Sequence, residues 1–283
     1  GNDEELRPES SALEYSYSRI DLTPTGFKPM TNNQYTNQDG GEYIYLAFRM
    51  SDGVVGKPAE AGTDVFDVEL GSGGSAEPAF IGGFPVDFAI NRELFQSGTS
   101  TPAGAGNYTG ARLQGQARNA THDNTAEASP AADWIFDSST GWSKNYPNNY
   151  ISWMWKRHAG FDVQSWEGTN GNVFRRHNLG RTPEMIIFKN RDAARNWRTY
   201  HKGLNGGTNP EDYEISLNAN SAEGANTSYM NGTAPTSTHF VSGNDGDTNG
   251  IGDNYLAFLF ASVSGISKVG YYSGSSSQQT IST

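Results

Sequence analysis

One strand-like segment occurs three times in this chain, and its spacing constrains the fold more than any other feature. The copies read Tyr-Ile-Tyr-Leu-Ala-Phe at 43–48, Tyr-Ile-Ser-Trp-Met-Trp at 150–155 and Tyr-Leu-Ala-Phe-Leu-Phe at 255–260. Their first residues lie 107 and 105 positions apart, and each copy follows a turn rich in Gly, Asn or Asp. Each copy is apolar on both faces, as a strand buried on both sides would be. A period of this kind indicates a protein built from repeated units.

A second segment divides the chain into those units. Phe-Asp-Val occurs at 66–68 and 161–163, followed each time by a Gly- or Asn-containing turn, and Val-Gly-Tyr-Tyr at 269–272 begins the pattern again. We therefore expect complete repeats at 51–158 and 159–265. Residues 1–50 are expected to be the end of a preceding repeat, and 266–283 the start of a further one. A partial repeat cannot bury its apolar face alone, so we expect the two ends to complete each other, within one chain or between chains.

The composition predicts an all-β protein of sandwich-like repeats, of the lectin-like or jelly-roll-like kind. Thirty-four glycines and twelve prolines interrupt the chain at the spacing of short strands joined by turns. A barrel or a solenoid remains an alternative architecture. The net charge of −11 argues against nucleic acid or an anionic membrane as partner, since both require a basic face. The chain has no cysteine, which excludes thiol chemistry.

A calcium ion is the one cofactor that a motif suggests. Oxygen-bearing side chains alternate with glycines in the segment 245–253, as they do in calcium loops. The candidate ligands are Asp245, Asp247, Asn249 and Asp253. Leu256 stands where a helix-flanked calcium loop has a bidentate Glu, so a turn without a metal is the alternative.

Aromatic residues beside polar segments give candidate positions for stacking on a sugar. The candidate ligand-binding residues are Trp142, Trp166, Trp197 and Tyr200. Trp142 and Trp166 lie in turn-like surroundings and are expected to be exposed. Trp197 and Tyr200 lie in a basic segment, 189–202, that could hold an anionic glycan or could be a charged hairpin edge.

Acidic residues and histidines do not predict catalysis. Asp133 with Asp137, and Glu211 with Asp212 and Glu214, could supply the two carboxylates of a glycoside hydrolase. Exposed carboxylates are, however, the default on an acidic protein. The five histidines lie in separate segments without ligand spacing. We therefore expect no enzymatic activity.

The same segments resemble a repeat of tail-fibre and other virion structural proteins of marine bacteriophages, cyanophages especially. The resemblance rests on Tyr-Ile-Tyr-Leu-Ala-Phe-Arg at 43–49, Gly-Phe-Asp-Val at 160–163, Pro-Glu-Met-Ile-Ile-Phe-Lys-Asn-Arg at 183–191 and Trp-Arg-Thr-Tyr-His-Lys at 197–202. It implies a structural protein at the virion surface or outside the cell. The implied partners are copies of the chain itself, other virion proteins and a host-surface glycan. A carbohydrate-binding adhesin is the second expectation, and a polysaccharide-degrading tailspike is the third.

Overall fold

The computed structural model describes residues 4–5, 15–16, 20–23, 26–29, 37–41, 59–72, 77–94, 107–115, 120–121, 134–144 and 150–282. The chain divides into two compact units, Gly1–Pro58 and Ala59–Thr283. The described part of the first unit contains two antiparallel pairs: β1 (Glu4–Glu5) with β2 (Tyr15–Ser16), and β3 (Ile20–Thr23) with β4 (Gly26–Pro29). The predicted strand at 43–48 lies outside the described residues.

The first half of the second unit is a five-stranded antiparallel sheet with a two-stranded cover. Its strands are β5 (Phe66–Leu70), β6 (Phe80–Ile81), β7 (Phe88–Glu93), β8 (Asn107–Ala111), β9 (Ala120–Thr121), β10 (Gly141–Trp142) and β11 (Tyr150–Trp155). The sheet order is β5-β11-β7-β8-β9, and β6 pairs with β10. Two 3₁₀ helices, Gly62–Asp64 and Arg112–Gln114, belong to this half.

The second half is a six-stranded antiparallel sheet with its own two-stranded cover. Its strands are β12 (Phe161–Glu167), β13 (Val173–Arg176), β14 (Met185–Asn190), β15 (Arg198–His201), β16 (Tyr213–Ser216), β17 (Gly224–Ala225), β18 (His239–Ser242) and β19 (Asn254–Phe260). The sheet order is β12-β19-β14-β15-β16-β17, and β13 pairs with β18. The 3₁₀ helices Leu204–Gly207 and Pro210–Asp212 follow β15.

The two halves share one strand order. In the first half, β11 lies between the edge strand β5 and β7. In the second half, β19 lies in the same way between the edge strand β12 and β14. β11 and β19, the recurring aromatic segments, therefore occupy the same central position, with a neighbour on each side. Residues 268–282 belong to no strand.

Among the residues that the structure describes, three apolar clusters form the core and follow from the alternation of side chains along the strands. One cluster lies between the first sheet and its cover, around Trp142 and Met154. Another lies between the second sheet and its cover, around Phe188 and Phe240. The third joins the inner faces of the two sheets, and there the ring centroids of Phe88 and Phe258 lie 4.2 Å apart.

This layering explains why β19 is apolar on both faces. Leu256 and Phe258 face the other sheet, whereas Ala257 and Leu259 face the outer cover. The described residues of the protein contain strands and short 3₁₀ helices and no α-helix. The prediction of an all-β, sandwich-like fold is confirmed.

Candidate functional site

A charged cluster on the outer face of the second sheet brings together residues that the sequence placed in separate motifs. Arg198 of β15 pairs in register with Ser216 of β16, which places Glu214, two residues earlier, on the same face of the sheet. The loop before β19 brings Asp247 to this face. The Arg198 guanidinium hydrogen-bonds both carboxylates, through Nη1 to Glu214 and through Nη2 to Asp247. We call Arg198, Glu214 and Asp247 the arginine cluster.

The arginine cluster is largely withdrawn from water. The exposed fractions of the side chains are 15% for Arg198, 15% for Glu214 and 9% for Asp247. Nε of Arg198 is buried and has no hydrogen-bond partner among the described residues. Charges at this depth are stable only when paired, because desolvation costs each ion several kcal/mol. Arg198 hydrogen-bonds both carboxylates, whereas Arg195 only approaches Asp247, at 3.9 Å.

Burial raises the pKa of Glu214 above its ordinary value, and Asp245 and Asp247 act in the same direction. Arg198 and a hydrogen bond from Asn226 oppose that rise. The Asn226 amide lies 2.7 Å from Oε2 of Glu214 and 3.2 Å from Oδ2 of Asp245. A carboxyl with a raised pKa can act as a general acid, but glycoside cleavage needs a second carboxylate across a groove. Here the second carboxylate shares the same guanidinium.

Each of the four predicted calcium ligands has a hydrogen-bond or ion-pair partner within the protein. Oδ1 of Asp245 accepts the backbone N–H of Asp247 at 2.7 Å, which is the hydrogen bond of an Asx turn. Oδ1 of Asn249 accepts instead from Nη2 of Arg175 at 2.9 Å. Oδ2 of Asp253 accepts from the amide of Asn190 at 2.8 Å. Within the part of the chain that the structure describes, no group of three or more His, Asp or Glu side chains is placed to hold a metal.

The aromatic candidates lie in the core or against it. Trp142 is fully buried and stacks on Phe80 at 4.8 Å, with its indole N–H donating to Oγ of Ser152 at 3.0 Å. The expectation that Trp142 is exposed is wrong, because β10 pairs with β6 and turns the ring onto the first sheet. Trp197 and Tyr200 are buried as well, between the sheets and under the second cover respectively. None of these three rings offers a face to a sugar.

Trp166 is the one predicted stacking residue that stays partly exposed. Its ring centroid lies 5.7 Å from that of Tyr255, and the Arg175 guanidinium lies 5.1 Å from it. Its indole N–H donates to the Thr248 carbonyl at 3.2 Å. Trp166 therefore packs the loop before β19 against the sheet.

A comparison with family models shows which family the chain resembles. Residues 105–281 match the model described as "Domain of unknown function (DUF7483)". The matched region is more than half of the chain. The chain belongs to the DUF7483 family. No curated protein matches it, and no solved structure does.

The DUF7483 match begins just before β8 and runs through β19 into the tail. It therefore includes the whole second sheet and the arginine cluster. Among the described residues of this DUF7483 protein, no helix is long and apolar enough to cross a membrane.

The remaining candidate residues are dispersed. Asp133 and His122 lie outside the described residues. Glu211 and Asp212 lie in the 3₁₀ helix Pro210–Asp212, and of the described carboxylates proposed for hydrolysis Glu214 alone joins the arginine cluster. Part of the positive charge of the basic segment 189–202 is buried or paired within the protein. Lys189 is fully buried, with Nζ donating to the Arg195 carbonyl at 3.0 Å, and Lys202 pairs with Glu184.

Sequence reasoning missed Tyr255 as the residue that positions the loop before β19. The Tyr255 hydroxyl donates to the Gly246 carbonyl at 2.9 Å and accepts the Gly250 N–H at 2.7 Å. Nδ2 of Asn190 lies 3.0 Å from the same hydroxyl. Burial raises the pKa of Tyr255 to about 12, so the hydroxyl keeps its proton. Tyr255 opens one of the recurring segments, but the sequence predicted a core role for that segment and no role for the hydroxyl.

Proposed function

We propose that this chain is a structural component of a phage virion, such as a tail fibre, an appendage or another particle-surface protein. It would assemble with copies of itself and with other virion proteins, and attach the particle to a host-surface glycan as a second role. It would carry no catalytic activity. The proposal rests on the resemblance of its repeats to those of phage virion proteins.

One observation of the molecule supports a scaffold role more than any other. The charged side chains of the arginine cluster bind one another, and each is at most 15% exposed. A binding or catalytic site usually leaves polar groups open to its ligand. A scaffold uses such groups to hold its own segments in place. The two packed halves of equal strand order fit the same role, since repeat-built proteins extend by stacking units.

Peptide mass spectrometry of density-purified virus particles tests the proposal. We expect peptides of this chain at a fixed ratio to the major capsid protein, retained after a high-salt wash. Host-cell proteins carried through the same gradient are the control. Absence of the chain from washed particles, with its presence in host envelopes, would contradict the virion role.

A carbohydrate-binding adhesin is the second candidate, and one observation favours it. Tyr271 and Tyr272 are adjacent and are 63% and 66% exposed, and exposed rings suit stacking on sugars. The His201 ring lies 6.1 Å from Tyr271, edge to face. Burial of Trp142, Trp197 and Tyr200 weighs against this function.

A glycan array with the full chain tests the adhesin. Selective binding that the double variant Tyr271→Ser, Tyr272→Ser abolishes would favour it. Binding that the double variant retains would place any glycan site elsewhere and remove the observation that supports this candidate. The exposed Phe174→Ser provides the matched control.

A further inference from the structure

His177 lies where the cover of the second half meets a turn that reaches the core. It directly follows β13, and its backbone N–H donates to the Thr238 carbonyl at 3.1 Å, just before β18 begins. His177 is 6% exposed. Two residues later, Leu179 is 4% exposed and belongs to the cluster between the second sheet and its cover. The His177 ring is therefore shielded from water at the junction of cover, turn and core.

Two hydrogen bonds fix the His177 ring in its neutral form. The Leu179 N–H donates to Nδ1 of His177 at 3.3 Å, so Nδ1 carries no proton. The proton of the neutral ring is then on Nε2, which donates to the Thr236 carbonyl at 3.1 Å. The neutral ring thus joins the turn 177–180 to the segment before β18, and both of its nitrogens are engaged.

A second proton on this ring conflicts with the turn. An imidazolium has an N–H at both nitrogens, so Nδ1 would point a donor at the Leu179 N–H. The Leu179 N–H would lose its acceptor, and a buried donor without an acceptor destabilises the fold. The turn must therefore move when His177 takes up a proton.

The neighbouring carboxylate of Asp162 already serves three donors of the protein. Its Oδ1 accepts the Val163 N–H at 2.9 Å. Its Oδ2 accepts the Asn178 N–H at 2.8 Å and the Gln164 side-chain amide at 2.8 Å. A bond from a protonated His177 to this carboxylate would compete with the donor from Asn178, which belongs to the same turn.

The surroundings of the ring act on its charge in both directions. Burial has the largest effect and lowers the pKa of His177 below its ordinary value of 6.5. His239 of β18 also opposes a charge on the ring, whereas the Asp162 carboxylate of β12 favours it. Arg176 and Arg181, on either side of the turn, are exposed. The stability that the neutral ring contributes is therefore present above the unfolded-state pKa and is lost as the pH falls through the folded-state pKa.

We propose that His177 is an acid-sensitive clasp, which holds the cover strands β13 and β18 on the second sheet when it is neutral and releases them when it is protonated. Release opens the cluster around Leu179 to water. Histidine suits this role because its charge changes between about pH 5 and 8. The response does not depend on a virion role.

Hydrogen exchange of the full chain, measured by mass spectrometry at about pH 7.5 and about pH 5, tests the clasp. After correction for the intrinsic exchange rate at each pH, we expect peptides from β13 and β18 to exchange about tenfold faster in acid. Peptides from β7, in the first sheet, should change little. Equal corrected rates at the two pH values would overturn the proposal.

His177→Asn separates the clasp from other effects of acid, because an asparagine oxygen can accept the Leu179 N–H and does not titrate. This variant should lose the acceleration in acid. His201→Asn is the matched control: Nδ1 of His201 accepts the Gly203 N–H at 3.0 Å in the same way, but His201 lies on β15 and is partly exposed. Acceleration retained in His177→Asn, or lost in His201→Asn, would contradict the proposal.

A measurement on the parent chain does not depend on how the variants fold. With ¹⁵N-labelled histidine, Nδ1 of His177 is expected to resonate as an unprotonated nitrogen at about pH 7.5 and to gain its proton in acid. The Leu179 amide should lose protection along the same pH curve. A protonated Nδ1 at neutral pH, or a Leu179 amide that stays protected while His177 titrates, would overturn the clasp.

Discussion

Arg198 pairs with two shielded carboxylates of the second sheet, Glu214 and Asp247, through one guanidinium. Burying an ion pair contributes little net stability, but removing one partner leaves the other charge buried and unpaired. Here the loss of Arg198 would remove an ion pair from both carboxylates and leave Asp247 beside the more exposed Arg195. The cluster also links β15 and β16 to the loop before β19.

Arg198→Met is expected to lower the free energy of unfolding by about 3–5 kcal/mol, because Glu214 and Asp247 lose their shared cation. Arg195→Met is the matched control. Arg195 also approaches Asp247, at 3.9 Å, but its side chain is 52% exposed, so the expected loss is about 0–1 kcal/mol. Urea unfolding of both variants checks the difference, and equal losses would contradict it.

Glu214 gives a prediction for pH. Its folded-state pKa is raised from about 4.5, mainly by burial, so the folded state binds this proton more tightly than the unfolded state does. The stabilisation is complete below the unfolded pKa and is lost as the pH rises through the folded pKa.

We therefore expect the unfolding free energy of the parent chain to decrease as the pH rises from about 4.5. Glu214→Gln should lack this decrease, because its side chain does not titrate. Urea unfolding across this pH range measures the two slopes. If the unfolding free energy of the parent chain instead rises with pH as Glu214 titrates, then the pairing with Arg198 outweighs the burial of this carboxyl.

At the scale of single strands, β5 and β12, each at one edge of its sheet, are protected in the same way. The Gly71 N–H donates to the Tyr150 carbonyl, and the Val65 carbonyl accepts the N–H of Lys156, so the N–H of Val68 points away from the sheet. It donates to Oδ1 of Asp67 at 2.8 Å, and the N–H of Val163 on β12 donates to Oδ1 of Asp162 at 2.9 Å. The Asp of each Phe-Asp-Val segment thus caps an edge donor that could otherwise pair with another strand.

Asp67→Ala is expected to promote association through β5, because it uncovers the Val68 N–H. Asp67→Asn keeps an oxygen acceptor and should behave nearly as the parent chain does. Sedimentation velocity at equal concentrations gives the average masses. A mass for Asp67→Ala no greater than that of the parent chain would count against the capping role.

The sequence predicted which segments form strands better than it predicted what the side chains of those strands pack against. Aromatic residues on both faces identified β11 and β19, because central strands need apolar neighbours on each side. The burial of Trp142 could not be foreseen, since it depends on β10 pairing with β6, about 60 residues earlier. Gly110 shows the same limit: a Cβ there would lie 2.5 Å from the Trp134 ring, a packing that no local pattern reveals.

The arginine cluster was foreseen in pieces and not as a whole. Arg198 belonged to a basic segment, Glu214 to a set of acidic residues and Asp247 to a calcium-like loop. The register of β15 with β16 brings the first two together, and register is set by pairing between distant residues. Alternating oxygens in a loop suit arginine and amide donors as well as calcium, so the pattern alone could not decide between them.

At the scale of the whole second unit, the apolar interface between the sheets should couple the two halves. Phe88 of the first sheet lies 5.8 Å from Phe161 and 4.2 Å from Phe258 of the second. Residues sharing such an interface are expected to open together.

Phe88→Ala is expected to cost about 3–5 kcal/mol and to raise hydrogen exchange in β11 and β19 alike. Exchange measured by mass spectrometry on peptides from both strands checks this. Phe174→Ala is the control, because Phe174 is 70% exposed and its loss should change exchange little. Faster exchange confined to the first sheet would mean that the halves open independently.

The central claim, that the chain is a virion structural protein, is tested most directly by immunogold electron microscopy with an antibody to the full chain. The grids would carry purified virus particles beside host cells. The account predicts regular label on particles, at fibre or tail tips if the chain contacts the host, or along a filament if it serves assembly alone. Label on cells with none on particles would contradict the account and favour the adhesin.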